Sequence, residues 1–187
     1  MTQRAQSGFL SSPSLLLNLA GVLGMCASLL MAFYLQIFNG EIHCPLCMLQ
    51  RVGLMLVAFG FYLNLRFGPS ATHYAVVIFS AMIGASVSTR HIMLHILPEA
   101  DAYGSALFGY HLYTWGFVAF MSMIILSAIL LVIDRNQLSD KTPPSATKLA
   151  KFLGVILILI AAGNVASNLL VCGLSVCDGD PTGYIWS

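Results

Sequence analysis

The sequence predicts an all-α polytopic membrane protein, a four-helix transmembrane bundle with a fifth transmembrane helix. Three observations lead there. The 187 residues are 58% hydrophobic and only 8% charged, whereas a soluble domain is about 25% charged. Five stretches reach the roughly 20 apolar residues that a helix needs to cross a bilayer core. The Lys and Arg residues gather on one side of the connections between those stretches, as they do in membrane proteins. This composition excludes an ordinary cytosolic enzyme and a disordered chain. It also excludes a nucleic-acid binder, which needs a basic stripe; the formal net charge is only +1.

The spans follow in order. The first runs from about Ser14 to Gln36, the second from about Pro45 to Leu65, the third from about His73 to Leu94. The fourth runs from about Thr114 to Ile133 and the fifth from about Phe152 to Val171. None has a proline in mid-span. The first is no signal peptide: Arg4 precedes it, but the apolar run is too long and no small-x-small site closes it. Cys26 lies deep in that run behind Met25 and reads as a buried structural thiol, packed as a small hydrophobe. The few polar residues within spans, among them Asn18, Ser80, Ser88, Asn164 and Ser167, face other helices. The Gly84/Ser88 spacing allows close helix approach. Pro143-Pro144, with Ser and Thr around it, is a flexible linker.

Charge sets the orientation. Arg4, Arg66, Arg135, Lys141, Lys148 and Lys151 fall on one side of the five-span arrangement. Glu41, Glu99, Asp101, Asp178 and Asp180 fall on the other, with no Lys or Arg in its loops. The N-terminus is therefore expected in the cytoplasm and the C-terminus outside. Tyr103, Tyr110, Tyr113 and Trp115 read as an interfacial aromatic belt at the outer end of the fourth span.

Two arginines break the pattern. Arg51 and Arg90 lie inside spans two and three, each about one turn from the outer end, where a charge is costly and usually functional. Snorkelling accounts for either alone. Two at matching depth, with His91 and His95 beside one, suggest a shared polar site. Just above Arg51 stands His43-Cys44-Pro45-Leu46-Cys47-Met48-Leu49-Gln50-Arg51. Proline is favoured at a first helical position, so Pro45 starts span two. Cys44 is then the N-cap and Cys47 sits in the first turn. Residues three apart on a helix meet the distance a disulfide needs. The helix N-terminus and the Arg51 cation, four residues from Cys47, both favour a thiolate. A zinc site using Cys44, Cys47 and His43 is a weaker reading: structural zinc usually takes four ligands, and the adjacent arginine disfavours a cation. A structural disulfide is another, although so small a loop stabilises little. Redox chemistry ranks above both.

Cys-Pro-Leu-Cys-x-x-Gln-Arg at the start of the second span resembles the disulfide bond formation protein B (DsbB) family of bacterial inner-membrane thiol oxidoreductases. The resemblance covers spans one to four, including the entry to span four at Trp115. It implies a four-helix bundle holding ubiquinone or menaquinone near the outer leaflet. It also implies electron transfer from a periplasmic thioredoxin-like (DsbA-like) partner, through Cys44 and Cys47, to that quinone. Arg51 becomes the quinone-site arginine. Two features depart from the family. Typical members carry a second cysteine pair between spans three and four, where this chain has none; and typical members lack a fifth span. That span delivers Cys172 and Cys177 to the outer side, in a periplasmic tail over residues 172–187. They either replace the missing pair as a shuttle or form a structural clip.

The expected function is therefore quinone-dependent generation of disulfides at the periplasmic face. Cys44 is expected to be the more exposed, exchanging thiol, and Cys47 to face Arg51 and the quinone. Arg90 and His91 are expected on the quinone's other side, and no metal is expected. The competing reading is a non-enzymatic transporter or assembly factor with structural disulfides. A transporter should show broken helices or mid-membrane polar sites. A reductive relay running the other way also remains open.

Overall fold

The computed structural model describes residues 13–40, 44–96, 104, 106–136 and 147–173. Five helices there are long and apolar enough to cross a membrane. They are α1 (Pro13–Phe38), α2 (Pro45–Phe67), α3 (Ala71–Leu94), α4 (Leu112–Ile133) and α5 (Thr147–Cys172). The protein is a helical, multi-span membrane protein. Helix α5 begins well before Phe152, the expected start. Its first turns keep Lys148 and Lys151 exposed, so they extend the helix beyond the apolar stretch without burying charge.

Local chemistry sets the ends of α2. Pro45 occupies its first turn, and Cys44 caps it in an extended conformation. At the far end Gly68 has φ +93° and its N–H donates to the Asn64 carbonyl; a side chain would be strained in that conformation. One element was not foreseen. A short hairpin, β1 (Ala106–Leu107) with β2 (Tyr110–His111), precedes α4. Its two-residue turn places Phe108 at φ +52° and Gly109 at φ +82°, the positive-φ pair of a tight hairpin turn. Trp115 Nε1 donates to the Leu107 carbonyl at 2.9 Å and ties the hairpin to α4.

The core lies where α1, α2, α3 and α4 meet, around the fully buried Phe61, Phe120, Tyr74 and Val57. Helices α2 and α3 approach through Gly53 and Gly84. A Cβ on Gly53 would lie 3.3 Å from the Gly84 Cα, and one on Gly84 would overlap the Phe120 ring. Small residues at such crossings let backbones close up and gain dispersion contact, the main drive to helix association in lipid. The outward faces carry exposed Phe79, Ile83, Val132 and Ile158, a surface suited to lipid.

A buried polar cluster closes the other end of the bundle. Asp134 Oδ2 accepts from Ser14 Oγ at 2.6 Å and from Tyr74 OH at 2.5 Å. Asn18 Nδ2 donates to Tyr74 OH, and Asn64 Nδ2 donates to Asn18 Oδ1. These bonds join α1, α2, α3 and the residue that ends α4. The expectation that Asn18 faces other helices holds here.

Candidate redox and quinone site

The site lies at the end of the bundle where α2 starts. Because Cys44 is the N-cap, its Sγ turns back over the first turn and accepts the Cys47 backbone N–H at 3.1 Å. One helical turn brings the two Sγ atoms to 2.8 Å, with both thiols free. His91, near the end of α3, puts Nε2 3.9 Å from Cys44 Sγ. The Cys47 thiol is the main influence lowering the Cys44 pKa to about 5, with His91 adding to it against the opposing effect of burial.

Two expectations are corrected here. Cys44 is the more buried thiol, at 6% exposed, while Cys47 is half-buried. Capping folds the Cys44 side chain inward against His91, whereas Cys47, in the first turn, lines the cavity between α1, α2 and α4. Arg51 and Arg90 also do not share a site. Arg51 is 5% exposed, but Arg90 is exposed. On α3 the inward face runs through Gly84, Ser88 and His91. With His91 turned inward, its neighbour Arg90 must point about 100° away.

Cys47 opens on a cavity of about 470 Å³ between α1, α2 and α4, with Leu107 of the hairpin at its rim. Its walls are mostly apolar, including Met31, Leu35, Leu54 and Ala119, with the rings of Tyr113 and Trp115. Gln50 and Arg51 reach it, with Ser28 also on its wall. Arg51 Nη1 donates to Gln36 Oε1 at 3.1 Å and Nη2 to the Ala32 carbonyl at 2.9 Å, and its guanidinium lies over Phe33. Gln50 Nε2 is buried without a hydrogen-bond partner, a costly state unless a ligand accepts from it. Tyr113 is not part of an interfacial belt. It is buried and stacks on His91, with centroids 4.4 Å apart.

Helix α5 reaches the same end. The Cys172 sulfur lies 3.8 Å from that of Met48, next to Cys47 in sequence. Cys172 is disulfide-bonded. Cys177 and the rest of the tail lie outside the described residues, as do His43 and the 143–144 linker. The metal reading weighed at the sequence level used His43; the structure instead brings His91 to the pair, with the Cys44, Cys47 and His91 donor atoms within 4.8 Å of one another.

Sequence reasoning singled out Cys44, Cys47, Cys172, Cys177, Arg51, Arg90 and His91. It passed over Gln36, Gln50 and Tyr113, and took Ser167 for packing alone. Gln50 had a signal, since it stands inside the cysteine-arginine string. Gln36 was a lone amide at the end of an apolar span.

Residues 14–103 match the family described as disulfide bond formation protein DsbB. Over α1 to α3 the chain is similar to the DsbB family. The match takes in α1, α2 and α3, with the redox pair and Arg51. Among relatives of that name, the chain is 29% identical to disulfide bond formation protein B 1 of Pseudomonas fluorescens strain Pf0-1, over 57% of this chain and 83% of that protein. It is 36% identical to disulfide bond formation protein B 1 of P. fluorescens strain Pf-5, over 37% of this chain and 43% of that one. It is 34% identical to disulfide bond formation protein B of Xanthomonas euvesicatoria, over 43% and 50%. The chain thus spans about half the length of the latter two DsbB proteins. No solved structure matches it.

Proposed function

We propose that this protein is a quinone-linked thiol:disulfide oxidoreductase that generates disulfides at the periplasmic face of a bacterial inner membrane. The observation that carries this reading is a Cys-x-x-Cys pair opening through Cys47 on an apolar cavity that also holds Arg51 and Gln50. A quinone headgroup is a flat apolar ring with two carbonyl acceptors. The cavity suits it on three counts. Its volume is within the usual range for small-ligand sites, roughly 300–1,000 Å³. Flat rings line it. Gln50 Nε2 is a buried donor waiting for an acceptor, and Arg51 places a cation on the same wall. A bound ubiquinone or menaquinone supplies an acceptor for two electrons and two protons.

The chain's own residues do the rest. In the oxidised state Cys44 and Cys47 are joined. A thiolate of a DsbA-like partner attacks this disulfide, and the partner's second thiol resolves the mixed disulfide. The partner leaves oxidised, having lost two electrons and two protons, and the pair is left as the dithiol. Cys44, favoured as a thiolate by the Cys47 donors and His91, is the better leaving sulfur when the partner opens the disulfide. His91 Nε2 is placed to take or return the Cys44 proton. With a quinone bound, Gln50 and Arg51 would hold it beside Cys47 on the cavity wall; the dithiol would give up its two electrons and two protons to it, and the Cys44–Cys47 disulfide would re-form. Arg90, exposed, has no part in this arrangement.

The whole chain acts as one membrane domain, with the N-terminus cytoplasmic and residues 172–187 forming a periplasmic tail. Cys172, beside Met48, supports a tail cysteine pair working near Cys47, with Cys177 as its second member. The transporter alternative finds no support: each described spanning helix runs without a break. The test is thiol-dependent reduction of a short-chain ubiquinone by the reconstituted protein, followed by absorbance. Cys44→Ser and Cys47→Ser should each abolish it. Near wild-type turnover in either would make the pair structural and end this reading.

A further inference from the structure

We propose that the fifth helix is a working part of the quinone site, in which Ser167 on α5 acts through Gln36 on α1 as a positioning residue for Arg51. The inference rests on the quinone-linked reading above, and it assigns a role to a helix that the DsbB match does not include. Three buried side chains from three helices form one chain. Gln36 Nε2 donates to Ser167 Oγ at 2.8 Å, and Ser167 Oγ donates to Gln36 Oε1 at 3.0 Å. The same Oε1 accepts from Arg51 Nη1 at 3.1 Å. Ser167, Gln36 and Arg51 are 7%, 5% and 5% exposed, so water does not compete for these bonds.

The serine pins the amide that faces Arg51. A carboxamide has an acceptor and a donor end. Flipped by 180°, Gln36 would set its NH₂ against the guanidinium, donor against donor. The donor-only guanidinium therefore selects the oxygen, and Ser167, bonded to both ends of the amide, holds Gln36 in place against Arg51. With Nη2 anchored on the Ala32 carbonyl, the planar fork is then held at two points on one face of α1. Arginine otherwise carries about 2 kcal/mol of rotamer entropy, so a fork held in advance binds an acceptor more tightly than a mobile one. Docking of α5 does not need the serine, because Leu153, Ile160 and Val171 already bury an apolar face.

The experiment uses the full-length protein in detergent, in a Trp186→Phe background, so that Trp115 on the cavity wall is the sole indole. Short-chain ubiquinone is titrated while Trp115 fluorescence is followed, and KM and kcat are measured alongside. Ser167→Ala should weaken quinone binding and raise its KM about 2- to 10-fold, the range for one lost hydrogen bond, with kcat nearly unchanged. Ser167→Thr, which keeps the hydroxyl, should restore wild-type affinity. Ile160→Ala, which loosens α5 packing only, should lower Tm and leave quinone affinity alone. Wild-type affinity in Ser167→Ala, or an equal loss in Ile160→Ala, would overturn the inference. A wild-type protein that binds quinone but fails with thiol substrate would instead overturn the enzymatic reading, and the binding arm would still report on Ser167.

Discussion

Reduced Cys44 should be a thiolate at neutral pH, and alkylation rates measured against pH will report it. Its Sγ lies 2.8 Å from the Cys47 Sγ and accepts the Cys47 backbone N–H at 3.1 Å, with His91 Nε2 at 3.9 Å. These draw its pKa from 9.0 to about 5. At pH 7 the gain is small. The thiolate fraction rises about 100-fold, but intrinsic nucleophilicity falls along a Brønsted slope of about 0.4–0.5, which over four pH units removes most of that gain. The difference appears in acid. At pH 5 half of Cys44 is ionised, against about one part in 10,000 of an ordinary thiol, so Cys44 should keep about half of its own plateau rate there while an ordinary thiol keeps almost none. The assay is iodoacetamide labelling of the reduced protein, with each cysteine followed by mass spectrometry. Cys44 should reach half-maximal rate near pH 5 and stay flat above about pH 6. His91→Ala should move the midpoint upward. Stability follows with a definite sign. Because the folded pKa is depressed, the reduced form gains stability that is complete above pH 9, declines below it and is gone once pH falls through about 5. The Tm of the reduced protein should therefore fall more steeply between pH 8 and 5 than that of Cys44→Ser. A Cys44 labelling midpoint near 9 would refute the reasoning.

Other outcomes are expected. Gln50→Leu removes a buried donor without a partner, so Tm should hold or rise while quinone affinity falls; a loss of Tm with unchanged affinity would take Gln50 out of the site. Gly84→Ala drives a methyl into the Phe120 ring and should cost about 1–3 kcal/mol, seen as a lower denaturation midpoint in detergent. Tyr74→Phe removes the hydroxyl shared by Asp134 and Asn18 and should cost about 0.6–2 kcal/mol, with quinone reduction retained. Reporter fusions at Ser139 should read cytoplasmic and at Ser187 periplasmic; a cytoplasmic Ser187 would remove the tail cysteines from the redox pair.

The sequence by itself determined the class of the protein and the placement of its Cys-x-x-Cys pair. A chain this apolar cannot build a water-facing surface, and spans of about 20 apolar residues can satisfy their backbone groups in lipid only as helices. The Cys-Pro-Leu-Cys string was equally legible, because N-cap geometry is local: Pro45 starts the helix, and one turn then brings the sulfurs together. Which residues meet across helices was decided only by the tertiary structure. Arg51 and Arg90 look equivalent along the chain, yet packing turns His91 inward and so turns Arg90 out. Cys44 looked like the surface thiol, but its cap geometry and the approach of α3 bury it. Gln36 and Ser167 lie 131 residues apart in sequence, and no local pattern links them. Their bond exists because the apolar face of α5 docks beside α1, and that docking depends on the rotation of two helices about their own axes, a choice made by packing.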